Sequence, residues 1–429
     1  MAREFHITTV YGTTWRAEHA GTEAGSLAAH LPFGPLASYY GTSTDQFPEV
    51  RAARPIEVET AQFHRWRGGR LTCGQLRLFV LPSEQVVVGL TLQVDSALPE
   101  VADLLADCHD QQVRFADTEV AAWAVAVAQS CGIQVDQAEF TPERHQLVFA
   151  ADLPTDDPKE AVPRLSYRSD LDYRPEFSHL TYPAELNRHR HAMVAVGPYL
   201  SILFGQPEYV ASCAVVSATQ AVASAVRLRE IRHALYHILR EFQAVEHSPD
   251  DTRSRRLVLE GITGELTRLE LDLSVAVETP VDLGMLVPSP RVVEYHLQLY
   301  RSIGVGKPAE NVSRMLRRLE ATGRAALTAV ESVERRVDED RHLRWAVAVG
   351  FISVVAIPPS LILAFFGGSA AEVDATRSML HPSYWWLYLM VGLIILIAVG
   401  LGLTLYAIQR RRNAAQRAAW RVTQSAART

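Results

Sequence analysis

Two long apolar runs occur near the C-terminus of the chain. Trp345 to Phe366 and Trp385 to Ile408 carry no charged residue over about 22 and about 24 positions. A helix of about 20 apolar residues crosses the hydrocarbon core of a bilayer. A buried helix of a soluble protein rarely stays free of charge for so long. The pattern therefore predicts two transmembrane helices, 345–366 and 385–408, joined by an extracytoplasmic loop at 367–384.

A heptad pattern precedes the first run. Apolar or small residues recur at alternating spacings of three and four, at Leu316, Leu319, Gly323, Ala326, Val330, Val333 and Val337. This spacing is typical of a coiled-coil seam. Because no helix breaker separates Val337 from Trp345, we expect one helix from about Ala309 to Phe366, with a stalk at 309–344. Either identical neighbours or the helix's own domain could cover the seam.

The first two hundred residues alternate between strand-like and helix-like patterns. Runs rich in β-branched residues predict strands, and longer amphipathic runs predict helices. The predicted strands are "QLRLFVL", "QVVVGLTLQV", "HQLVFAADLP" and a pair in "AMVAVGPYLSILFG", and the predicted helices are "LPEVADLLADC" and "DTEVAAWAVAVAQSCG". Residues 152–185 are rich in Pro, Asp and Tyr and are interpreted as a long surface connection.

After Pro207 the residue pattern predicts mainly helices. A long Ala-rich segment follows, with interruptions at Pro280, Pro288 and Pro290. The predicted fold class is thus an α+β cytoplasmic domain, a mixed sheet covered by helices, followed by a helical region, a long stalk helix and two C-terminal transmembrane helices. The first two domains are expected at 1–206 and 207–308, and a basic tail at 409–429.

The arginines that flank the apolar runs predict the orientation of the chain. Four precede the first run and five follow the second, at positions 335, 336, 341 and 344 and at 410, 411, 412, 417 and 421. The connecting loop has a single arginine. Positive residues concentrate on the cytoplasmic side of a membrane. We therefore expect a multi-pass protein of the inner (plasma) membrane with both termini in the cytoplasm.

Composition excludes several classes of function. The formal net charge is −6, which gives no indication of nucleic-acid binding. No P-loop, GxSxG elbow or dinucleotide fingerprint is present, so we expect neither an enzyme nor an organic cofactor. The four cysteines are scattered, which supports neither a zinc site nor a disulfide framework. They are expected to be buried free thiols.

One helical segment carries a possible metal motif. His233, His237 and Glu241 follow one another at spacings of four in "REIRHALYHILREF". Three such ligands on one helical face could hold a transition metal. Histidine pairs on exposed helix faces are also common, and the sequence offers no fourth ligand.

Small and hydroxylated residues recur on one face of the first apolar run. Ser353, Ile357, Ser360, Ala364 and Gly367 follow at spacings of four and three, and Gly368 and Ser369 come next. Small residues mark close contacts between helices in lipid. A stripe that ends in glycine carbonyls and a serine hydroxyl also suits a cation pore. The pattern is compatible with both interpretations.

Acidic residues stand near both ends of this run. Asp338 and Asp340 precede it within two turns, and Glu372 and Asp374 follow it. Repeated in a symmetric oligomer, they would form rings that attract cations at an inner and an outer mouth. Alternatively, the inner acids pair with neighbouring arginines and the outer acids are ordinary loop residues.

The layout and a short residue pattern resemble the CorA-type magnesium channel family. That family ends its first span with Tyr-Gly-Met-Asn, preceded by a proline nine positions before the glycine. Here Pro358 stands nine positions before Gly367, and Phe366 takes the tyrosine position. Ser360 and Ala364 fall where the family often has threonine and glycine. The basic run 410–412 after the second span also matches.

The resemblance implies a homo-oligomer, a pentamer in that family, that passes Mg²⁺ along an axis lined by the first span. Two residues depart from the motif, since Gly368 stands in place of methionine and Ser369 in place of asparagine. Two other functions are therefore kept. One is a non-transporting, membrane-anchored sensor, effector or scaffold of the same architecture. The other is transport of another divalent metal such as Zn²⁺ or Co²⁺.

Overall fold

The computed structural model describes residues 3–17, 26–42, 46–154, 158–168, 179–247, 252–282 and 287–368, and separate positions between 381 and 407. The chain divides into two units, Met1–Ala326 and Leu327–Thr429. The predicted loop at 367–384 and tail at 409–429 lie almost wholly outside the described residues. The predicted domain boundaries at 206 and 308 stay predictions.

The first unit is built on a mixed β-sheet of seven strands. In chain order they are β1 (Arg3–Arg16), β2 (Glu49–Pro55), β4 (Arg70–Val80), β5 (Gln85–Ser96), β8 (Arg144–Ala150), β9 (Met193–Val196) and β10 (Leu200–Phe204). Their spatial order is β2-β4-β5-β1-β8-β10-β9. A small second sheet joins β3 (Ala61–Gln62), β6 (Arg114–Phe115) and β7 (Thr118–Glu119). The predicted mixed sheet covered by helices is confirmed.

Ten α-helices lie within the described residues up to Gly368. The shorter ones are α1 (Leu27–His30), α2 (Ala37–Thr42), α3 (Leu98–His109), α4 (Val120–Ser130), α5 (Pro158–Tyr167), α8 (Thr279–Asp282) and α9 (Pro290–Ile303). The longer ones are α6 (Glu208–His247), α7 (Thr252–Leu273) and α10 (Gly306–Gly368). Both helices predicted before residue 132 and all the predicted strands are confirmed.

One pair of strands is parallel, and this corrects a sequence-based prediction. β10 pairs with β8 in parallel, whereas the other neighbouring strands of the large sheet are antiparallel. A parallel pair needs a crossover connection. Helix α5 lies in that crossover and buries Val162 and Leu165 in the core. The prediction that 152–185 is a surface connection is therefore wrong at α5, because Val162 and Leu165 belong to its apolar face.

The large sheet separates two hydrophobic clusters. Alternate residues of a strand point to opposite faces. Along β4, for example, Leu76 and Leu78 belong to the cluster that also contains residues of α3 and α4, while Phe79 belongs to the cluster of α6, α7 and α9. Residues of the sheet and of the helices after residue 207 thus share one continuous core.

Helix α6 lies at the centre of the second cluster. Its alanines let neighbouring elements approach closely, and Ala214, Ala218 and Ala221 are fully buried. Two of its buried hydroxyls bond to backbone carbonyls: Thr219 Oγ1 donates to the Val215 carbonyl at 2.9 Å, and Ser224 Oγ donates to the Ala276 carbonyl at 2.9 Å. The apolar side chains of α6 are therefore buried inside the protein.

Helix α10 runs unbroken over 63 residues. This confirms the single helix predicted from about Ala309 to Phe366, and Pro358 and Pro359 do not end it. The first part of its seam is covered within the chain, since Leu316 is buried and a Cβ at Gly323 would lie 3.6 Å from Thr263 Oγ1 of α7. Farther along, Val333 and Val337 are exposed.

The cysteines follow their prediction only in part. All four are free thiols, and Cys108 and Cys213 are buried, but Cys73 is exposed and Cys131 is half-buried. Burial raises the pKa of the Cys108 thiol to about 12, so this thiol is inert at neutral pH. Cys73 lies in strand β4 with its side chain on an uncovered part of the sheet.

Close packing around Gly12 generates a stability prediction. A Cβ at this position in β1 would lie 2.5 Å from Val226 Cγ2 and 2.6 Å from Thr141 Oγ1. We expect Gly12→Ala to lower the free energy of unfolding by about 1–3 kcal/mol through overpacking, measured as a lower melting temperature. The control is Gly261→Ala on the exposed face of α7, where nothing lies within 4 Å. That change should stabilise the helix by about 0.5–1 kcal/mol. An unchanged melting temperature for Gly12→Ala would contradict the packing described.

Candidate functional site

The second part of α10 exposes an apolar surface. Trp345 is 67% exposed, Ile352 is 64% exposed and Ile357 is 53% exposed, and Val347 and Val349 are also exposed. Isolated exposed apolar residues are ordinary on soluble proteins, but a continuous surface of this kind marks contact with a membrane or another protein. The helix carries no charged residue from Trp345 to its end at Gly368.

The described positions of the second apolar run share this exposure. All of those between 385 and 407 are helical. The exposed apolar side chains are Trp385, Trp386, Leu389, Met390, Leu393, Leu396 and Ile397. Tryptophans stand at the start of both runs, as in the aromatic belts of membrane proteins, where the ring sits at the level of the lipid headgroups.

A different helix meets the length and hydropathy expected of a membrane span. Glu208–Val245 of α6 has a mean hydropathy of 1.5 over its most apolar stretch, and it alone meets both measures in the described part of the chain. The protein buries 83% of that stretch. This helix is the central core helix described above. Several side chains of the predicted span 345–366, and many residues of the predicted span 385–408, lie outside what the structure describes.

The predicted stripe of small residues is exposed along α10. Ser353, Ile357, Ser360 and Ala364 are exposed, and a Cβ at Gly350 would meet nothing within 4 Å. Nothing in the described part of the chain covers this face at Gly350. Whether this stripe packs against other helices or lines a pore stays a prediction.

The two serines of the stripe use their protons within their own helix. Ser353 Oγ donates to the Val349 carbonyl at 2.9 Å, and Ser360 Oγ donates to the Ile357 carbonyl at 2.7 Å. A hydroxyl that donates its proton still has lone pairs with which to accept. Pro358 and Pro359 each lack an N–H, so the helical carbonyls of residues 354 and 355 lose their usual donors. This part of α10 thus has hydroxyl and carbonyl oxygens whose lone pairs can accept further hydrogen bonds.

The predicted outer mouth is described only at its first residues. Gly367 and Gly368 form the last turn of α10. Ser369, Glu372 and Asp374 lie outside the described residues, so their predicted roles stay predictions.

The predicted inner acids are exposed on α10. Asp338 and Asp340 both face solvent. Along residues 306–368, all of which the structure describes, ion pairs such as Arg324 with Glu320 form one turn apart. No ion pair of Asp338 or Asp340 is found in that range. The role of Asp338 and Asp340 at an inner mouth stays a prediction.

The predicted metal motif on α6 is only partly assembled. His237 Nδ1 lies 3.4 Å from Glu241 Oε1, and both side chains are exposed. Among the described residues no group of three metal-ligating side chains is found, so His233 does not join the pair. Spacings of four place these residues on one face, but their long side chains extend into solvent.

A buried polar cluster that the sequence pattern does not reveal lies at the start of β8. The His145 ring is fully buried, with Nδ1 3.4 Å from the Pro198 carbonyl and Nε2 2.9 Å from Ser201 Oγ. A carbonyl only accepts, so Nδ1 carries the proton and Nε2 accepts from Ser201. The Tyr295 hydroxyl completes the chain by donating to Ser201 Oγ at 2.9 Å.

Positive charge surrounds this cluster. Arg168 lies beside it and donates through Nε to Gln146 Oε1 at 2.9 Å. Burial, only partly offset by the Pro198 carbonyl, lowers the pKa of His145 to about 4, and the charge of Arg168 adds to the shift. Burial, then the charges of Arg168 and Arg144, lower the pKa of His109 to about 4 as well. Both rings are neutral at physiological pH.

Comparisons with known proteins add two distant likenesses. No family model matches the chain, and the comparison with curated proteins found no match. The CorA magnesium transporter from Methanocaldococcus jannaschii is 12% identical over 62% of this chain and 92% of that one, with a TM-score of 0.27. The full-length CmaX protein is 14% identical over 62% of this chain and 90% of that one, with a TM-score of 0.28. With TM-scores this low, neither likeness assigns a fold or a function, and the family resemblance stays a prediction from the sequence.

The neutral, buried His145 makes stability depend on pH. The pKa of His145 is about 4 in the folded protein and 6.5 in an unfolded chain. The unfolded state therefore binds more protons between these values, and stability present above pH 6.5 is lost as the pH falls towards 4. The expected loss is about 3 kcal/mol, measured by denaturant unfolding of the protein in detergent across this range.

A matched pair of variants isolates this contribution. His145→Gln keeps a hydrogen-bonding side chain without a titratable ring, so the slope of stability against pH should become shallower. His233→Gln removes an exposed histidine and should leave the slope unchanged. Equal slopes for the wild type and His145→Gln would show that His145 does not carry the effect.

Proposed function

We propose that this chain forms a membrane-spanning homo-oligomer that conducts divalent cations, with Mg²⁺ as the first candidate. The observation that carries the proposal is α10, a single helix from Gly306 to Gly368 whose first part is rich in charge and whose second part is apolar, uncharged and exposed. The charged first part of α10 requires water around it, and the apolar second part requires lipid or protein.

The apolar part has the dimensions of a membrane span. Residues 345–366 would extend about 33 Å as a helix, and the hydrocarbon core of a bilayer is about 30 Å thick. Exposed Trp345 stands at one end of this segment and Arg344 directly before it. Tryptophan and arginine at such a boundary anchor a span at the headgroup level.

Exposure along α10 supports an assembly of several copies. The seam is covered within the chain at Leu316 but exposed at Val333 and Val337, and the stripe around Ser353 and Ser360 is exposed too. In lipid, a face of small residues lets helices approach closely. We infer that neighbouring copies meet along this face, around a common axis. A pentamer is the number that the family resemblance implies.

The groups along the inferred axis suit a hydrated divalent cation. The hydroxyls of Ser353 and Ser360 and the carbonyls freed by two prolines are hard oxygen ligands, which Mg²⁺ prefers. Rings of Asp338 and Asp340 would raise the local cation concentration at the inner end. By resemblance, Gly367, Gly368 and Ser369 would form the outer constriction, with Glu372 and Asp374 beyond it.

One departure from the family pattern favours a second function. Ser369 and Gly368 replace the asparagine and methionine of the family motif, and a serine hydroxyl reaches less far than an asparagine amide. A channel that has lost this constriction could serve as a membrane-anchored sensor or scaffold that transports nothing. The same change could admit Zn²⁺ or Co²⁺ in place of Mg²⁺.

Flux measurements test the transport function. The full chain in liposomes should pass Mg²⁺ down a gradient, followed with a dye trapped inside. The double change Asp338→Asn and Asp340→Asn should reduce the flux several-fold at low ionic strength and less at high salt, because salt screens exposed charges. Glu331→Gln, which removes one charge from the same helix, is the control and should have little effect.

A competition series with Zn²⁺ and Co²⁺ identifies the preferred ion. The absence of any divalent flux would contradict the transport function and leave the membrane-anchored sensor or scaffold.

Cross-linking tests the inferred axis independently of flux. In a background without native cysteines, single Ser353→Cys or Ser360→Cys variants in the membrane should form disulfide-linked dimers on oxidation. Val355→Cys and Ile362→Cys lie about 200° around the helix from these positions and should cross-link much less. Equal cross-linking at all four positions, or none at the two serine positions, would contradict an axis lined by the stripe.

A further inference from the structure

A cavity of about 400 Å³ lies in the first unit, beside the buried cluster of His145. Its wall is formed by the start of β8, the turn between β9 and β10, one face of α6, and the connection between α9 and α10. Pockets for small ligands usually measure about 300–1,000 Å³, so this cavity is large enough for a molecule the size of a mononucleotide.

The cavity has a surplus of positive charge. Arg144, Arg229 and Arg232 line it, and Glu143 is its single acid. Arg229 pairs with Glu143, with Nη2 3.1 Å from Oε2. Two arginines thus remain without a carboxylate of the cavity wall to balance them.

The two remaining arginines differ in how they are held. Arg144 donates to the Pro142 carbonyl at 3.3 Å and to the His109 carbonyl, so its position is set by backbone groups that leave its charge unneutralised. Arg232 is exposed, and no hydrogen bond or ion pair is found for it in the part of the chain that the structure describes. One cation is fixed and the other is free to close on a ligand.

Groups behind the wall add to the positive potential. Arg168 lies close enough to Arg144 for the two charges to affect the same ring, because both lower the pKa of His109, after burial. Asp110 opposes them but pairs with Arg65 through a contact of 2.9 Å. The cavity is therefore favourable for an anion.

The rest of the wall is apolar. Val222, Leu228 and Val305 are buried and form an apolar floor of the cavity. Tyr199 stands at the rim with 56% of its surface exposed. A flat ring presented in this way can stack against an aromatic ligand.

We propose that this cavity binds a nucleotide, with its phosphates held by Arg144 and Arg232 and its base stacked on Tyr199. Arginine guanidinium groups match phosphate oxygens through paired hydrogen bonds. The apolar floor of the cavity and its two arginines favour an organic phosphate over a simple inorganic ion. The floor contacts the organic part of such a ligand, and the arginines contact its phosphate.

The site lies at the start of α10. Gly304, Val305 and Pro308 line the cavity, and α10 begins at Gly306. A ligand here contacts the first turn of the helix that carries the inferred pore face. Binding would shift the protein towards whichever state of α10 holds the ligand better. This regulatory role rests on the proposed transport function, whereas binding itself does not.

Binding is tested on the full chain in detergent, by calorimetry and by the shift in melting temperature. ATP, GTP and AMP are the probes, and adenosine and inorganic phosphate separate the two halves of the ligand. We expect saturable binding of nucleotides at millimolar concentration or below, and much weaker binding of adenosine or phosphate alone. No nucleotide binding at these concentrations, or equal binding of inorganic phosphate, would overturn the proposal.

Variants on exposed positions test the location without disturbing the core. Arg232→Ala should weaken ATP binding about tenfold or more, as expected for the loss of a charge-assisted hydrogen bond, and Tyr199→Ser should weaken ATP binding but not phosphate binding. Arg301→Ala removes an exposed arginine of α9 that does not line the cavity, and should change nothing. Equal affinities for Arg232→Ala, Arg301→Ala and the wild type would place the nucleotide elsewhere.

A flux assay with and without nucleotide then separates the two proposals. Nucleotide binding without any divalent flux supports this site and contradicts the transport function. Flux that is present but unaffected by nucleotide, in a protein shown to bind it, contradicts the regulatory role alone.

Discussion

The architecture depends on one constraint: a single helix cannot satisfy two different solvents with the same surface. Helix α10 carries arginines and acids on its first part and no charged residue after Arg344. Charged side chains are costly in hydrocarbon, and exposed apolar side chains are costly in water. The change from one composition to the other within a few residues therefore sets where a membrane surface would lie along the helix. The proposed pore face, the inner acids and the outer glycines all take their positions from that boundary.

In the first unit, by contrast, the most apolar helix is buried inside the protein. Helix α6 has the hydropathy of a membrane span, yet sheet residues such as Val10 and helix residues such as Leu299 cover it in one core. Its hydroxyls bond to carbonyls of α6 and of the segment after α7. The sequence pattern places α6 in the cytoplasmic helical region, and the structure shows that its most apolar stretch is buried, whereas the described side chains in the apolar part of α10 are exposed.

The same core places polar and charged side chains near the start of α10. The buried chain of His145, Ser201 and Tyr295 links β8, β10 and α9, and the arginine-lined cavity lies beside it. Because the connection from α9 to α10 forms part of the cavity wall, a ligand there would act on the first turn of the long helix. In the proposed oligomer, the exposed second half of the seam, at Val333 and Val337, would supply the contacts between copies of the chain.

Local patterns were enough to predict much of the fold. Runs rich in β-branched residues indicate strands β4 and β5, and helical periodicity indicates α10, because the residues of one element follow one another in the chain. Strand β1 was not recognised, although it lies in the middle of the sheet. Its threonines make it look polar, and only pairing with distant strands satisfies them: Thr8 bonds Thr91, and Thr13 bonds the Val86 carbonyl.

For the sites, the sequence by itself determined the features that lie along one helix. These are the charge-free run of α10, its stripe of small residues and its acids, since each is defined by spacing within one segment. The tertiary structure alone decided that His233 does not join His237 and Glu241, and that Arg144, Tyr199 and Arg232 line one cavity. Those three residues are far apart in the chain, and only the packing of β8, the β9–β10 turn and α6 brings them together. No local pattern encodes such a meeting, because it is produced by contacts between elements and not by the order of residues within them.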